Sequence, residues 1–492
     1  MSPTAARRKR LGAWYTPDSL VSHVLDEVLD PLLAARPAGG EVSVLDPACG
    51  DGRFLAAAAA RITAAGRRAV VCGIDIDATA VAAARAACGE GARIVKADAL
   101  ARRWGGRKFD LVVGNPPFLS PLAAIHGVRL TDRSGGPYAD AAAEFLALAL
   151  RLARPDGGRV GLVMPLSIVA TRDATPVRDL IADAAELDWF WFAPRPVFDA
   201  EVRTCALGLV MRRAADDTAP ADRPVRRTSG KRFVRQPDAS ARLREPTWAW
   251  LLADQLGIPP LPSLTTAGTL GEFGVFTADF RDEYYGLAGA VEEAGDALTP
   301  AQAPLVTSGL IDAGVSRWGE RSTRFLHVEY ARPVVRVDRL TGPMAAWAAQ
   351  RLVPKVLVAS QTRVLEALAD PEGRLLPSVP VVTITPNDPT DVWRIAAALT
   401  GPVASAWLAA RASGTGMSAH ALRVSAPVLA GVPIPAGSVD AAVAALQVGE
   451  IERCARLVTA AYGVDDEAAE PLLAWWLSGA RVRSATLPPG HP

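Results

Sequence analysis

The amino-acid sequence predicts an α/β protein whose first half is a Rossmann-like, doubly wound sheet. Three observations carry that prediction. Short apolar runs rich in β-branched residues recur through roughly the first two hundred residues, with helical stretches between them. Three successive runs end in acid, at Asp46, Asp75 and Asp98. A fourth, Phe109-Asp110-Leu111-Val112-Val113-Gly114, is cut off by Asn115-Pro116-Pro117-Phe118. Two consecutive prolines can continue neither a ladder nor a helix, so the strand stops there. In open parallel sheets ligands bind at the carboxyl ends of strands, which is where these acids, the amide and the aromatic ring are placed.

The elements follow in order. Gly12 to Asp18 reads as a loop, and Thr16-Pro17 opens an amphipathic helix through about Leu33, with Leu20, Val21, Val24, Leu25, Val28 and Leu29 at helical spacing. Residues 41–55 read as strand, small-residue turn and helix, with Asp46-Pro47-Ala48-Cys49-Gly50-Asp51-Gly52 as the turn. Gly50 and Gly52 lack a Cβ and let the backbone approach a ligand. An acid at the strand tip suits an amino or ammonium group, and Leu55 stands where a dinucleotide fingerprint would carry its third glycine. Residues 69–77 form a second strand. Asp75 at its tip suits a ribose diol, and Asp77 is a candidate cap for a helix starting near Thr79. Residues 92–100 form a third strand, with Asp98 able to accept from a purine's exocyclic amine. A helix over 138–154 and strands over 159–165, 188–192 and 205–211 extend the alternation.

Bulk properties bound the remainder. A chain of 492 residues exceeds one core, so two or more domains are expected. Lys+Arg 53 against Asp+Glu 52 leaves a net charge of +1, so any nucleic-acid surface must come from uneven placement of charge. The five cysteines contain no C-x-x-C pair, which argues against zinc and against a disulfide framework, and no metal site is expected. No apolar run is long enough to span a membrane, and the basic cluster at Arg7 to Arg10 is not followed by an apolar segment. The expectation is a cytoplasmic protein with no membrane partner.

Taken together, Thr16-Pro17, Asp46 to Gly52, Asp75, Asp98 and Asn115-Pro116-Pro117-Phe118 resemble the S-adenosylmethionine-dependent N6-adenine DNA methyltransferases. The motif order and the long C-terminal part look like their gamma, TaqI-like class. The resemblance implies a class I methyltransferase fold followed by a mixed α+β target-recognition domain. It implies that Thr16 and Pro17 lie over the cofactor, S-adenosyl-L-methionine. Asp46, Pro47, Ala48, Cys49, Gly50 and Gly52 would hold its methionine end, Asp75 its ribose, and Ile76, Asp98 and Ala99 its adenine. Asn115, which also borders the cofactor, and the Pro116 carbonyl would accept from the target N6 amino group, with Pro117 fixing the corner. Phe118 and Phe198 would stack on the target base.

The chemistry explains why such groups are wanted. The N6 lone pair is delocalised into the purine ring and is a poor nucleophile. Two fixed acceptors draw its hydrogens out of plane and stabilise the positive charge that grows on nitrogen. In-line alignment with the methyl donor adds proximity, and no strong general base is required. The target atom is inaccessible in a duplex, so the base must flip out, and aromatic stacking offsets that cost.

The domain division expected from sequence is 1–213 catalytic, 214–245 an Arg-rich linker, 246–436 target recognition and 437–492 a helical segment. The run from Arg223 to Arg244 is a candidate for phosphate contact. Residues 355–362 and 377–385 look like the specificity segment of the same family, and residues 432–435 close that domain. None of Lys9, Lys96, Lys108, Lys231 and Lys355 has an acid two positions earlier, so no fused nuclease is expected. Double-stranded DNA is the expected partner, and a separate restriction endonuclease is an open one. Two other readings compete. One is a methyltransferase acting on ribosomal RNA or on protein glutamine. The other is a non-catalytic DNA-binding subunit that keeps the cofactor fold.

Overall fold

The computed structural model describes residues 16–118, 141–194, 197, 203–212, 223–245, 247–279, 281–360, 362–412, 422 and 424–480. The chain divides into two compact units, Met1–Leu251 and Leu252–Pro492.

The first unit is built on a nine-stranded sheet: β1 (Glu41–Asp46), β2 (Arg68–Asp75), β3 (Arg93–Lys96), β4 (Leu111–Gly114), β5 (Arg159–Pro165), β6 (Ala185–Phe192), β7 (Thr204–Met211), β8 (Pro224–Ser229) and β9 (Val234–Ser240). Their spatial order is β3-β2-β1-β4-β5-β7-β6-β8-β9. β1 pairs in parallel with both β2 and β4, so the winding reverses beside β1 and opens a crevice at the carboxyl ends of β1 and β4. β4 is buried along its whole length, as expected of a strand covered on both faces. The doubly wound sheet anticipated from the alternation is present. The sequence pattern did not disclose that β7 runs antiparallel between β5 and β6.

Helix α1 (Asp18–Ala34) buries Leu20, Val24, Leu25, Val28 and Leu29, the apolar face read from the sequence. It lies close on the sheet because β5 and β7 carry glycines beneath it. A Cβ on Gly161 would come within 2.7 Å of Val28, and one on Gly208 within 3.2 Å. Helices α2 (Arg53–Ala64) and α3 (Ala78–Cys88) follow β1 and β2. Helix α4 (Ala141–Leu152), expected from about residue 138, packs on β5, and α5 (Thr175–Ala184) packs on β6.

The Arg-rich stretch corrects the sequence reading. In its described part it is no linker: β8 and β9 form a hairpin that extends the sheet, with β8 parallel to β6. Thr228 on β8 bonds to His23 of α1 at 2.9 Å and accepts from Trp189 of β6 at 3.1 Å. Arg226 pairs with Glu27 and Asp188, and Arg227 is fully buried, donating to the carbonyls of Pro237 and Leu251. Side-chain partners drawn from distant elements turned a polar run into sheet.

The second unit contains an antiparallel sheet ordered Gly274–Ala278, Val382–Pro386, Lys355–Val358, Ala367–Asp370. A second sheet is ordered Val291–Glu293, Pro333–Arg336, Gln302–Val306, Leu376–Pro377. Helices Val392–Leu399, Pro402–Ala412, Asp440–Gln447, Ile451–Ala461 and Asp466–Gly479 share one apolar core with the first sheet. Val458, Tyr462 and Trp476 meet Val356, Val358 and Ile384 in that core, so residues 437–480 are part of this unit and not a separate segment. Pro433–Pro435 does not end it but pairs with Thr266–Thr269. Among the described residues no single helix is long and apolar enough to cross a membrane; the apolar pair Pro389–Leu399 and Pro402–Ala412 is bent by 73°.

Candidate functional site

The crevice is assembled from strand tips. Asp46 ends β1 with a side chain only 2% exposed. Its Oδ1 accepts from the Ala48 N–H at 3.0 Å. Gly114, which ends β4, lies directly against it: a Cβ there would sit 2.5 Å from Asp46 Oδ1. With φ at 152° the position is one that side chains rarely adopt. The loop after β1 therefore touches the corner that presents Asn115 and Pro116. Gly114 was not singled out from sequence; a glycine just before Asn-Pro-Pro was the available signal.

Burial pushes the Asp46 carboxyl up to about 8, against the pull of the Ala48 N–H, and the fields of Asp75 and Asp51 add to the rise. Asp75 is also raised by burial, offset in part by the Asp77 and Gly50 N–H groups. Its two oxygens accept from Gly50 N at 2.9 Å and Asp77 N at 2.8 Å, joining the tip of β2 to the glycine turn. Asp77 caps α3 by accepting from Thr79 N at 2.8 Å. Asp98 accepts from Leu100 N at 2.9 Å and Ala99 is buried, its carbonyl accepting from Trp104 Nε1 at 3.1 Å. Ile76 is 51% exposed on the β2 tip, an apolar face left open between two polar neighbours.

The two glycines of the turn differ. Gly50, at φ 53°, has open space where a side chain would stand. Gly52, at φ 84°, has the backbone of Ala84 2.9 Å from where a Cβ would stand, so its missing side chain serves close packing of α2 against α3. That corrects the equal role the sequence suggested for both. Pro47 and Cys49 are buried; the Cys49 N–H donates to the Ile74 carbonyl at 2.8 Å, and burial raises its thiol. Arg53 at the start of α2 donates to Asp51 at 2.8 Å, to Asp18 at 3.1 Å and to the Thr16 carbonyl at 3.4 Å. It ties the Thr16-Pro17 segment to the glycine turn, a role that sequence reading missed. Thr16 is buried, and Pro17 caps α1 without a side-chain bond.

Asn115, Pro117 and Phe118 are half-buried and Pro116 is buried. Phe118 and Val197 rest part of their surface on the core formed with α1 and α2. Phe198 lies outside the described residues. The segments read as specificity elements are core in their described strands: Lys355, Val356, Leu357, Val358, Thr383 and Ile384 are fully buried, and Lys355 pairs with Asp370. Among the described residues no cluster of His, Cys, Asp and Glu could hold a metal ion.

Comparisons with known proteins bear on this arrangement. Residues 2–221 match the family model described as N-6 DNA Methylase. The Type II methyltransferase M.CvrRI of Paramecium bursaria Chlorella virus XZ-6E is 26% identical over 178 residues, 36% of this chain and 42% of that protein. The modification methylase CviBIII of Paramecium bursaria Chlorella virus NC1A is 26% identical over 165 residues, 34% of this chain and 42% of its own length. The matches thus span less than half of each curated relative. The solved structure of the Type IIL restriction-modification enzyme MmeI in complex with DNA superposes with a TM-score of 0.57 at 14% identity, covering 97% of this chain and 79% of that one, a likeness of fold. The family match thus falls on the first unit, whose nine-stranded sheet carries the strand tips described above.

Proposed function

We propose that the chain is a site-specific, adenine-specific DNA methyltransferase. On this reading it transfers a methyl group from S-adenosyl-L-methionine to N6 of an adenine flipped out of duplex DNA. The observation that carries the reading is the contact between Asp46 and Gly114, which places a buried acid of the glycine turn beside Asn115 and Pro116.

The donor set fits the cofactor. Asp46 and Asp75 are carboxyls that burial holds above their ordinary range, and a cationic ligand would favour their charged forms. In this reading Asp46 and the backbone of residues 47–50 hold the methionine end. Asp75 faces the ribose hydroxyls, Ile76 covers an adenine face, and Asp98 and Ala99 border the adenine edge. Thr16-Pro17, anchored through Arg53, covers the site. The bound cofactor supplies an electrophilic methyl group on a sulfonium. The chain supplies position and charge. Asn115 and the Pro116 carbonyl accept from the target amino group, localising its lone pair and stabilising charge on nitrogen, and the Pro116-Pro117 corner keeps the carbonyl aimed without reorganisation. Phe118 offers the exposed part of its ring to the flipped base, with Phe198 as the second aromatic. The second unit is assigned to target recognition, and the setting to a restriction-modification or defence system in the cytoplasm.

The test is expression in a host lacking its own adenine methylation, followed by modification-sensitive long-read sequencing, with Asn115→Ala as control. Expected is N6-methyladenine at one motif, reduced at least 10²-fold in the control. Methyl transfer to ribosomal RNA or to release-factor protein alone, with unmodified DNA, overturns the reading.

A further inference from the structure

Six arginines of the Arg-rich stretch are engaged within the protein. Arg223 pairs with Glu186 at 2.8 Å, Arg226 with Glu27 and Asp188, Arg235 with Asp238 at 2.6 Å, Arg242 with Glu245 at 3.3 Å and Arg244 with Asp183 at 2.7 Å. Arg227 is fully buried on backbone carbonyls. Two cations of the stretch differ. Lys231 and Arg232 are exposed in the turn between β8 and β9, and among the described residues neither has a carboxylate partner.

Strand directions decide where that turn lies. β1, β4 and β5 are mutually parallel. β7 is antiparallel to β5 and to β6, which makes β6 parallel to β5, and β8 is parallel to β6. The carboxyl end of β8, and with it the turn, therefore opens on the same edge as Asp46 and Asn115. β8 stands four strand steps from β4 in the sheet order, about 19 Å at about 4.8 Å per step. That distance corresponds to roughly five or six phosphates along one strand of B-DNA.

The turn is held firmly. The Gly230 N–H donates to the Phe192 carbonyl at 2.9 Å, and the Gly230 carbonyl accepts from Trp191 Nε1 at 3.0 Å. Phe233, at φ 51°, stacks on His23 of α1 with ring centroids 4.1 Å apart. Two cations with no carboxylate partner among the described residues stand on a clamped turn and present positive charge without the ordering cost of a mobile backbone.

We infer that Lys231 and Arg232 are a phosphate-backbone contact of the duplex, positioning it while a base several nucleotides away enters the crevice. This rests on the DNA methyltransferase reading. Contacts of this kind add affinity without sequence information and are read through salt dependence. The experiment measures binding of a labelled duplex by anisotropy between 50 and 200 mM salt, for the full chain and for the double variant Lys231→Ala/Arg232→Ala. S-adenosylmethionine affinity is followed by calorimetry as a check on folding. Expected is a slope of log K against log salt shallower by roughly 1.8, since each phosphate contact contributes about 0.9. Lys231→Arg/Arg232→Lys should restore it, and cofactor affinity should be unchanged throughout. A double variant with the slope and affinity of the parent overturns the inference and leaves the methyltransferase reading intact. A parent protein that methylates RNA or protein and binds no duplex overturns both.

Discussion

Two buried carboxyls stand at opposite ends of the same pair of strands, and their surroundings could hardly differ more. Asp110 precedes β4, and Asp46 ends β1; each is only 2% exposed. Asp110 accepts from the Ser43 N–H at 2.8 Å and the Ser43 hydroxyl at 2.6 Å, and it pairs with Arg36 at 2.8 Å and Arg154 at 3.3 Å. Burial opposes its charge, but the bonds from Ser43 and Arg36 outweigh that, and its carboxyl is held below the usual range. Asp46 has the Ala48 N–H and two neighbouring acids, and its carboxyl rises to about 8. The amino end of the strand pair completes its own electrostatics. The carboxyl end leaves a carboxyl without a cationic partner among the described residues, as a site for a cationic ligand would.

The largest expected effect breaks the self-sufficient end. Asp110→Asn keeps the shape but removes the charge facing Arg36 and Arg154, and should cost about 2–3 kcal/mol of stability. A fall in the thermal midpoint with cofactor affinity per folded molecule preserved is the outcome to look for in calorimetry. Loss of cofactor binding without loss of stability would erase the distinction between the two ends.

Asp46→Asn should do the opposite. Cofactor affinity should fall about tenfold, or ~1.4 kcal/mol, while the melting temperature near neutral pH holds or rises. Titration calorimetry and thermal melts on the same samples measure both.

The two ends should also respond to pH with opposite sign. A carboxyl raised from 3.8 to about 8 on folding releases its proton more easily when unfolded, so its contribution makes stability fall as pH rises from about 4 through 8. Asp110 is depressed, so its contribution is present above 3.8 and lost as pH falls through its folded value. Cofactor affinity should rise with pH toward 8 as Asp46 ionises. The ligand's own ammonium titrates nearby, so Asp46→Asn, which should lack the rise, is the control. Parallel profiles for parent and variant would remove Asp46 from the ligand's surroundings.

The smallest effect is expected at Gly50. With φ at 53° and open space around it, alanine should cost about 1 kcal/mol of stability through backbone strain alone. A measured loss several times larger in denaturant melts would mean that the turn is packed where it is described as open.

Much of the first unit was legible because its signals are local. Asp98 to Leu100 N, Asp77 to Thr79 N and Asp46 to Ala48 N are bonds spanning two residues, and short-range turn chemistry dictates them. The apolar face of α1 and the stop at Pro116-Pro117 are equally local, set by helical period and by the missing N–H of proline. What the linear order could not disclose depends on residues far apart in the chain. Gly114 lies against Asp46 of another strand, a contact that nothing near it in the chain discloses. Arg226 and Arg227 read as part of an Arg-rich linker open to phosphate until Glu27, Asp188 and the Leu251 carbonyl are brought to them across the sheet. Residues 437–480 read as a helical segment, and the core they share with Val356 and Ile384 is visible only in the fold. By itself the sequence determined the strand-turn-helix order and the chemistry at each strand tip, because periodicity, capping and proline act over a few residues. Only the tertiary structure decided which charges are satisfied and which glycine packs and which stays open, because those outcomes turn on burial and on partners that the folded sheet alone brings together.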